Sequence, residues 1–169
     1  MVSATRLSVP STSVGGARCD RLPTMNTRSA QELLAPLATQ QADLDGGRRL
    51  IETYTMEGML GMLWHGPSDA EEVVLCASGG MGGYLGPADG LYTRLGETLA
   101  GADTAVVCVD YRRPSHLESS LLDLAATADR AVQQGARRFV VLGHSFGGAV
   151  AIQAGCALGP YCAGVATFA

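Results

Sequence analysis

Four uninterrupted apolar stretches punctuate the chain: Val73–Ala77, Ala105–Val109, Phe139–Leu142 and Val165–Phe168. Continuous runs of this kind, rather than alternating ones, mark strands buried on both faces of a parallel sheet. The segments between them read as helices. Leu91, Leu95 and Leu99 recur every four residues, and Gly101 supplies a stop. Ser115-His116-Leu117-Glu118 has the spacing of a capping box. Behind it Leu117, Leu121, Leu124, Ala125, Ala128 and Val132 form one apolar stripe that Gly135 ends. Alternating strands and helices joined by such crossovers give right-handed βαβ units. Ahead of them Arg48–Thr55 and Met59–Trp64 alternate in polarity around Glu57-Gly58, which predicts an antiparallel pair. The fold class is therefore α/β, a three-layer sandwich around a mostly parallel sheet.

Residues 1–47 depart from this pattern. The first thirty hold Arg6, Arg18, Arg21 and Arg28 against the single acid Asp20, with many Ser and Thr. Such a segment reads either as a transit peptide or as a disordered tail. The domain then occupies residues 48–169. The net charge of -4 argues against a nucleic-acid footprint. No apolar run approaches the roughly eighteen residues of a membrane span. The five cysteines are odd in number and lack metal-ligand spacing. No metal or cofactor is expected, and no partner protein is evident. A reducing, intracellular compartment fits: the cytoplasm or, if residues 1–30 target it, a plastid or mitochondrion.

The chemistry concentrates at Gly143-His144-Ser145-Phe146-Gly147. A strand precedes it and a helix rich in small residues follows. Strand, G-x-S-x-G, helix is a nucleophile elbow: a turn so tight that the serine is strained and its hydroxyl projects clear. Gly143 and Gly147 fit because a Cβ there would meet neighbouring backbone. The Phe146 amide then starts a helix, where an unpaired N–H can face a developing oxyanion. A second glycine run, Ser78-Gly79-Gly80-Met81-Gly82-Gly83, follows another strand end. It fails as a dinucleotide fingerprint, since Leu85 stands where the third glycine belongs. It fits a loop whose backbone N–H groups approach a substrate.

These residues, with Asp110-Tyr111-Arg112-Arg113-Pro114 between the two sites, resemble the α/β-hydrolase superfamily of serine-hydrolase type, over residues 48–169. The resemblance implies that Ser145 is the nucleophile. It implies an oxyanion hole made by the Phe146 amide and by that of Gly80, or of Met81 if the register slips by one. Where many members have His-Gly, this chain has Ser78-Gly79.

The family places an acid and a histidine after later strands. Here the three histidines are His65, His116 and His144. His144 sits inside the elbow with its ring expected to point away from Ser145. His65 reads as a turn residue, and His116 as an exposed residue of the capping box. Asp110 reads as half of a local ion pair or as a loop anchor. None completes a triad. Val165–Phe168 would form a bare apolar edge, which points to sequence missing beyond Ala169. The expected function is a serine hydrolase acting through an acyl-enzyme on a small-molecule acyl substrate, most simply an ester, and incomplete as given. The alternative is a non-catalytic binding protein of the same fold, or an inactive fragment.

Overall fold

A computed structural model describes residues 28–169. The tail reading of residues 1–27 lies outside the described residues. The chain forms α1 (Ala30–Leu34), β1 (Ala38–Leu44), β2 (Arg48–Thr55), β3 (Gly58–His65), β4 (Glu72–Ala77), α2 (Pro87–Leu99), β5 (Thr104–Asp110), α3 (Leu117–Gln134), β6 (Arg138–His144), α4 (Phe146–Leu158) and β7 (Cys162–Phe168), with one 3-10 turn at Gly159–Tyr161.

All seven strands join one sheet in the order β1-β2-β3-β5-β4-β6-β7. The first three are antiparallel, and β3 meets β5 antiparallel. From there β5, β4, β6 and β7 run parallel. The four apolar runs are thus one parallel sheet, as their patterning predicts. The reason is visible in their alternation. Val73, Leu75, Val107, Val109 and Val141 face a core shared with Leu34, Leu124, Ala128 and Val150. Val74, Cys76, Val106, Cys108 and Leu142 face a second core built on Tyr92. Helices α1, α3 and α4 therefore cover one face and α2 the other, so both side-chain rows of each central strand must be apolar.

The boundary at residue 47 is corrected by α1 and β1. Ser29 caps α1, accepting from Glu32 N, while Glu32 reaches back to Ser29 N. The Asp129 carboxylate on α3 accepts from Ala30 N at 2.6 Å, which holds the helix against the domain. Strand β1 pairs along its whole length with β2 although every one of its side chains is exposed. A polar edge strand can be held by its backbone ladder alone, without an apolar row to announce it.

Two further readings change. His65 is not a turn residue: it ends β3 and is buried, paired with Val106. Ser115 is not the cap of α3. His116 takes that position and its Nδ1 accepts from Ser119 N at 3.3 Å, while Ser115 turns away with φ 65°.

The loop after β5 is fixed by a buried ion pair. Asp123 on α3 accepts from Arg112 N at 2.9 Å and from Arg112 Nε at 2.5 Å. Burial pushes the Asp123 carboxyl up, and this outweighs the downward pull of the Arg112 bonds. Glu57, from the β2–β3 hairpin, meets Arg112 Nη1 at 3.4 Å from the surface.

Candidate active site

One residue separates β6 from α4. Ser145 has φ 53° and ψ −120°, a left-handed conformation that serine adopts only under constraint. The constraint is on both sides. Ser145 N donates to Phe168 O of β7 at 2.9 Å, and Ser145 O accepts from Gly148 N at 2.9 Å. The backbone is thus fully engaged, whereas the side chain is exposed and makes no capping bond.

The glycines let this turn close. A Cβ on Gly143 would lie 2.1 Å from Gly147 O, and one on Gly147 would lie 2.2 Å from Ala77 O. No side chain fits at either place. Phe146 is the first residue of α4, so its N–H has no intrahelical carbonyl to donate to. Its ring packs edge-on against Tyr111, with centroids 6.3 Å apart and planes at 82°.

The glycine run follows β4, the strand hydrogen-bonded to β6. It is braced from below. The Ser78 hydroxyl is shared between Gly83 O at 2.5 Å and Val109 O. The Asp110 carboxylate accepts from Gly83 N at 2.6 Å, so of its two readings the structure selects the loop anchor. Gly82 N donates to Gly79 O at 3.0 Å, closing a four-residue turn. Gly80 in that turn lies beside the elbow: a Cβ there would sit 3.7 Å from Phe146 Cβ. Among the described residues, the amides of Gly80 and Met81 have no hydrogen-bond acceptor.

Between loop and elbow lies a cleft of about 560 Å³, lined by Gly80, Met81, Tyr84, Leu85, Ser115 and Ser145 among others. Burial, reinforced by the negative charges of Asp110 and Glu52, pushes the Tyr84 phenol up to about 12, so it stands neutral at the cleft wall. Another cleft of about 520 Å³ lies among α1, α3 and α4. It is apolar, and its one carboxylate, Asp129, is committed to α1. Converging polar groups, which mark a reactive site, are found only at the first of these two.

The structure therefore brings Gly143, His144, Ser145, Phe146, Gly147, Gly80 and Met81 to one place. It does not bring the other two histidines there. His65 ends a strand antiparallel to β5, level with Val106, far down the sheet from the carboxyl ends of the parallel strands. The Nδ1 of His116 is occupied by Ser119. His144 stays at the cleft, its Nδ1 against the backbone of Gly79. Sequence reasoning missed Tyr84, Leu85 and Ser115 as wall residues. Among the described residues no group of His, Cys, Asp or Glu could hold a metal ion, and no helix is long and apolar enough to cross a membrane.

A parallel sheet with its exposed, strained serine at the carboxyl end defines a class of fold, and sequence matching agrees with it. Residues 62–169 match the alpha/beta hydrolase family, and the chain belongs to it. Solved structures are similar in fold. A proline iminopeptidase-related protein from Thermus thermophilus aligns with TM-score 0.53 and 22% identity over 71% of this chain and 44% of its own. An epoxide hydrolase from an endophytic Streptomyces aligns with TM-score 0.55 and 16% identity over 73% and 37%. The juvenile hormone epoxide hydrolase of the silkworm Bombyx mori gives 0.53 and 10% over 72% and 35%. The chain thus spans less than half the length of each of these structures. Among curated proteins none matches it in sequence.

Proposed function

We propose that Ser145 is the nucleophile of a hydrolase that cleaves acyl compounds, with small carboxylic esters the first substrates to try. The observation that carries this is the φ 53° serine, exposed at the strand–helix junction and facing a glycine loop with unpaired amides. Ser145 Oγ would attack the acyl carbonyl and the carbonyl π electrons would move to oxygen. That oxyanion would lie near the Phe146 amide and the Gly80 or Met81 amide. Collapse would expel the alcohol and leave an acyl-serine, which water would hydrolyse.

The serine proton needs a base. His65 lies far down the sheet, His116 is not among the residues lining the cleft, and His144 lies against Gly79. No histidine among the described residues hydrogen-bonds Ser145, so this chain alone lacks a poised base and is expected to be a poor catalyst. Without it only about 10³–10⁴-fold acceleration would remain, from binding and the oxyanion donors. The same observation favours a second reading, in which the cleft binds a small acyl compound without turnover.

A fluorophosphonate probe and a p-nitrophenyl ester test both readings. Expected are slow labelling at Ser145 that accelerates with pH, weak esterase activity, and loss of both in Ser145→Ala. Labelling unchanged in Ser145→Ala would refute the nucleophile. Brisk, Ser145-dependent turnover at neutral pH would show that a base lies within the chain. Saturable binding of butyrate without any Ser145 labelling would support the second reading.

A further inference from the structure

The turn Gly79–Gly82 has a central peptide that its own backbone does not secure. Gly82 N holds the Gly79 carbonyl, which fixes the Gly79–Gly80 peptide. The next peptide, Gly80–Met81, has no backbone partner among the described residues. This is the peptide whose rotation interconverts the two commonest turn types. Rotated, it would place the Gly80 carbonyl oxygen where the Met81 N–H now points. An oxygen there would repel an oxyanion instead of stabilising it.

One side chain reaches this peptide. Ser115 Oγ donates to Gly80 O at 2.8 Å. All peptides of the described chain are trans, so the C=O and N–H of this unit point in opposite directions. Holding the Gly80 carbonyl therefore aims the Met81 N–H. A Cβ at residue 80 would stand 2.8 Å from Ser115 Oγ and press that hydroxyl aside. Met81 adds a second restraint: it does not have positive φ, and the rotated turn would demand one.

Ser115 itself is held in a conformation that serine disfavours, φ 65°. Glycine would take that backbone without strain, but it would bring no hydroxyl. The segment carrying Ser115 is pinned by the Arg112–Asp123 pair and by His116 N donating to Arg113 O at 3.2 Å. Ser115 also lines the cleft together with Gly80, Met81 and Ser145.

We propose that Ser115 is a positioning residue that locks the Gly80–Met81 peptide with its N–H available as an anion donor, and so sets the second half of the oxyanion site. The inference rests on the reading of Ser145 as an acyl-accepting nucleophile. Ser115 acts through backbone, not by touching substrate.

Two variants of the full chain test it. Ser115→Gly removes the hydroxyl while relieving the strained φ. Ser115→Asn keeps an N–H donor on a residue type that tolerates left-handed backbone. In ¹⁵N-edited NMR spectra, Ser115→Gly is expected to shift and broaden the Met81 amide as the peptide exchanges between orientations, with a thermal midpoint equal to or above wild type. Ser115→Asn should restore a single sharp Met81 peak. Fluorophosphonate labelling of Ser145 should slow about tenfold or more in Ser115→Gly, in the inactivation rate constant rather than in probe affinity. An unaltered Met81 peak in Ser115→Gly overturns the proposal, as does labelling within about twofold of wild type. If the wild-type chain is never labelled at Ser145, the nucleophile reading fails instead, and the Met81 peak alone decides whether Ser115 locks the peptide.

Discussion

Asp123→Ala isolates a charge in the interior. The Asp123 side chain is fully buried and that of Arg112 is 2% exposed, whereas Glu57 stands 60% exposed. Removing Asp123 leaves the guanidinium with only Glu57 at 3.4 Å, and its Nη2 already lacks a partner. Breaking a buried pair in this way costs about 3–5 kcal/mol. Losing the exposed Glu57 contact costs about 0–1 kcal/mol. A domain has about 5–15 kcal/mol of total stability, so the first change consumes a large part of it and the second does not. The direction of the Asp123 shift adds a sharper expectation. Burial raises its carboxyl above the unfolded value, so its contribution is present below that value and declines as pH rises through the folded one. The charged pair as a whole is then no bonus over an apolar pair of similar volume. Urea unfolding of Asp123→Ala, Glu57→Ala and the double Arg112→Met/Asp123→Leu checks the chain of reasoning. The double should recover most of what the single loses. A loss below about 1 kcal/mol for Asp123→Ala would refute it, as would a double variant worse than the single.

Gly147→Ala would press a methyl against Ala77 O, 2.2 Å away, and its neighbour Ser78 O. About 1–3 kcal/mol of destabilisation is expected, together with loss of any Ser145 labelling, because the elbow and β4 must separate; unchanged unfolding would contradict so close an approach of elbow to strand. Tyr84 gives an alkaline signature. Its folded-state value is raised from 10.0 to about 12, so its contribution is intact below pH 10.0 and is lost as pH climbs towards 12. Thermal midpoints across that window should fall less steeply in Tyr84→Phe than in wild type, and parallel curves would show that the phenol is not desolvated.

The centre of the sheet was legible because β4, β5 and β6 are buried on both faces, whereas β7 is an apolar run that lies largely exposed at the sheet edge. The hairpin Arg48–Thr55 and Gly58–His65 was legible from alternation: Ile51 and Thr53 are buried between Glu52 and the exposed Tyr54. Strand β1 was not. Its residues, Ala-Thr-Gln-Gln-Ala-Asp-Leu, lack an apolar row, and what holds them is the ladder to β2 with a Thr39–Thr53 hydroxyl contact of 3.3 Å. The capping pattern misled in one place and went unread in another. Ser115-x-x-Glu118 has the spacing but not the backbone, since the chain enters α3 one residue later, with His116 extended as the cap and Ser115 ahead of it at φ 65°. Ser29-x-x-Glu32 has both and starts α1. Of the site, Ser145 and the glycine loop could be read from punctuation around strands. The bond from Ser115 to Gly80 could not, because it joins residues thirty-five apart through a loop conformation that no local pattern encodes.

Cys76 and Cys108 are neighbours in register on β4 and β5, both wholly inaccessible, while Cys156 on α4 is exposed. The protein therefore carries its own stopwatch. A thiol reagent meets Cys156 at once, but reaches the other two only in the moments when the middle of the sheet comes apart. Where closing outpaces modification, the rate at which those sulfurs are consumed reports the fraction of time the sheet stands open. Every ~1.4 kcal/mol gained or lost anywhere in that cooperative unit then changes the count tenfold. Two buried thiols make the sheet's rarest excursions measurable in the native protein, without any denaturant.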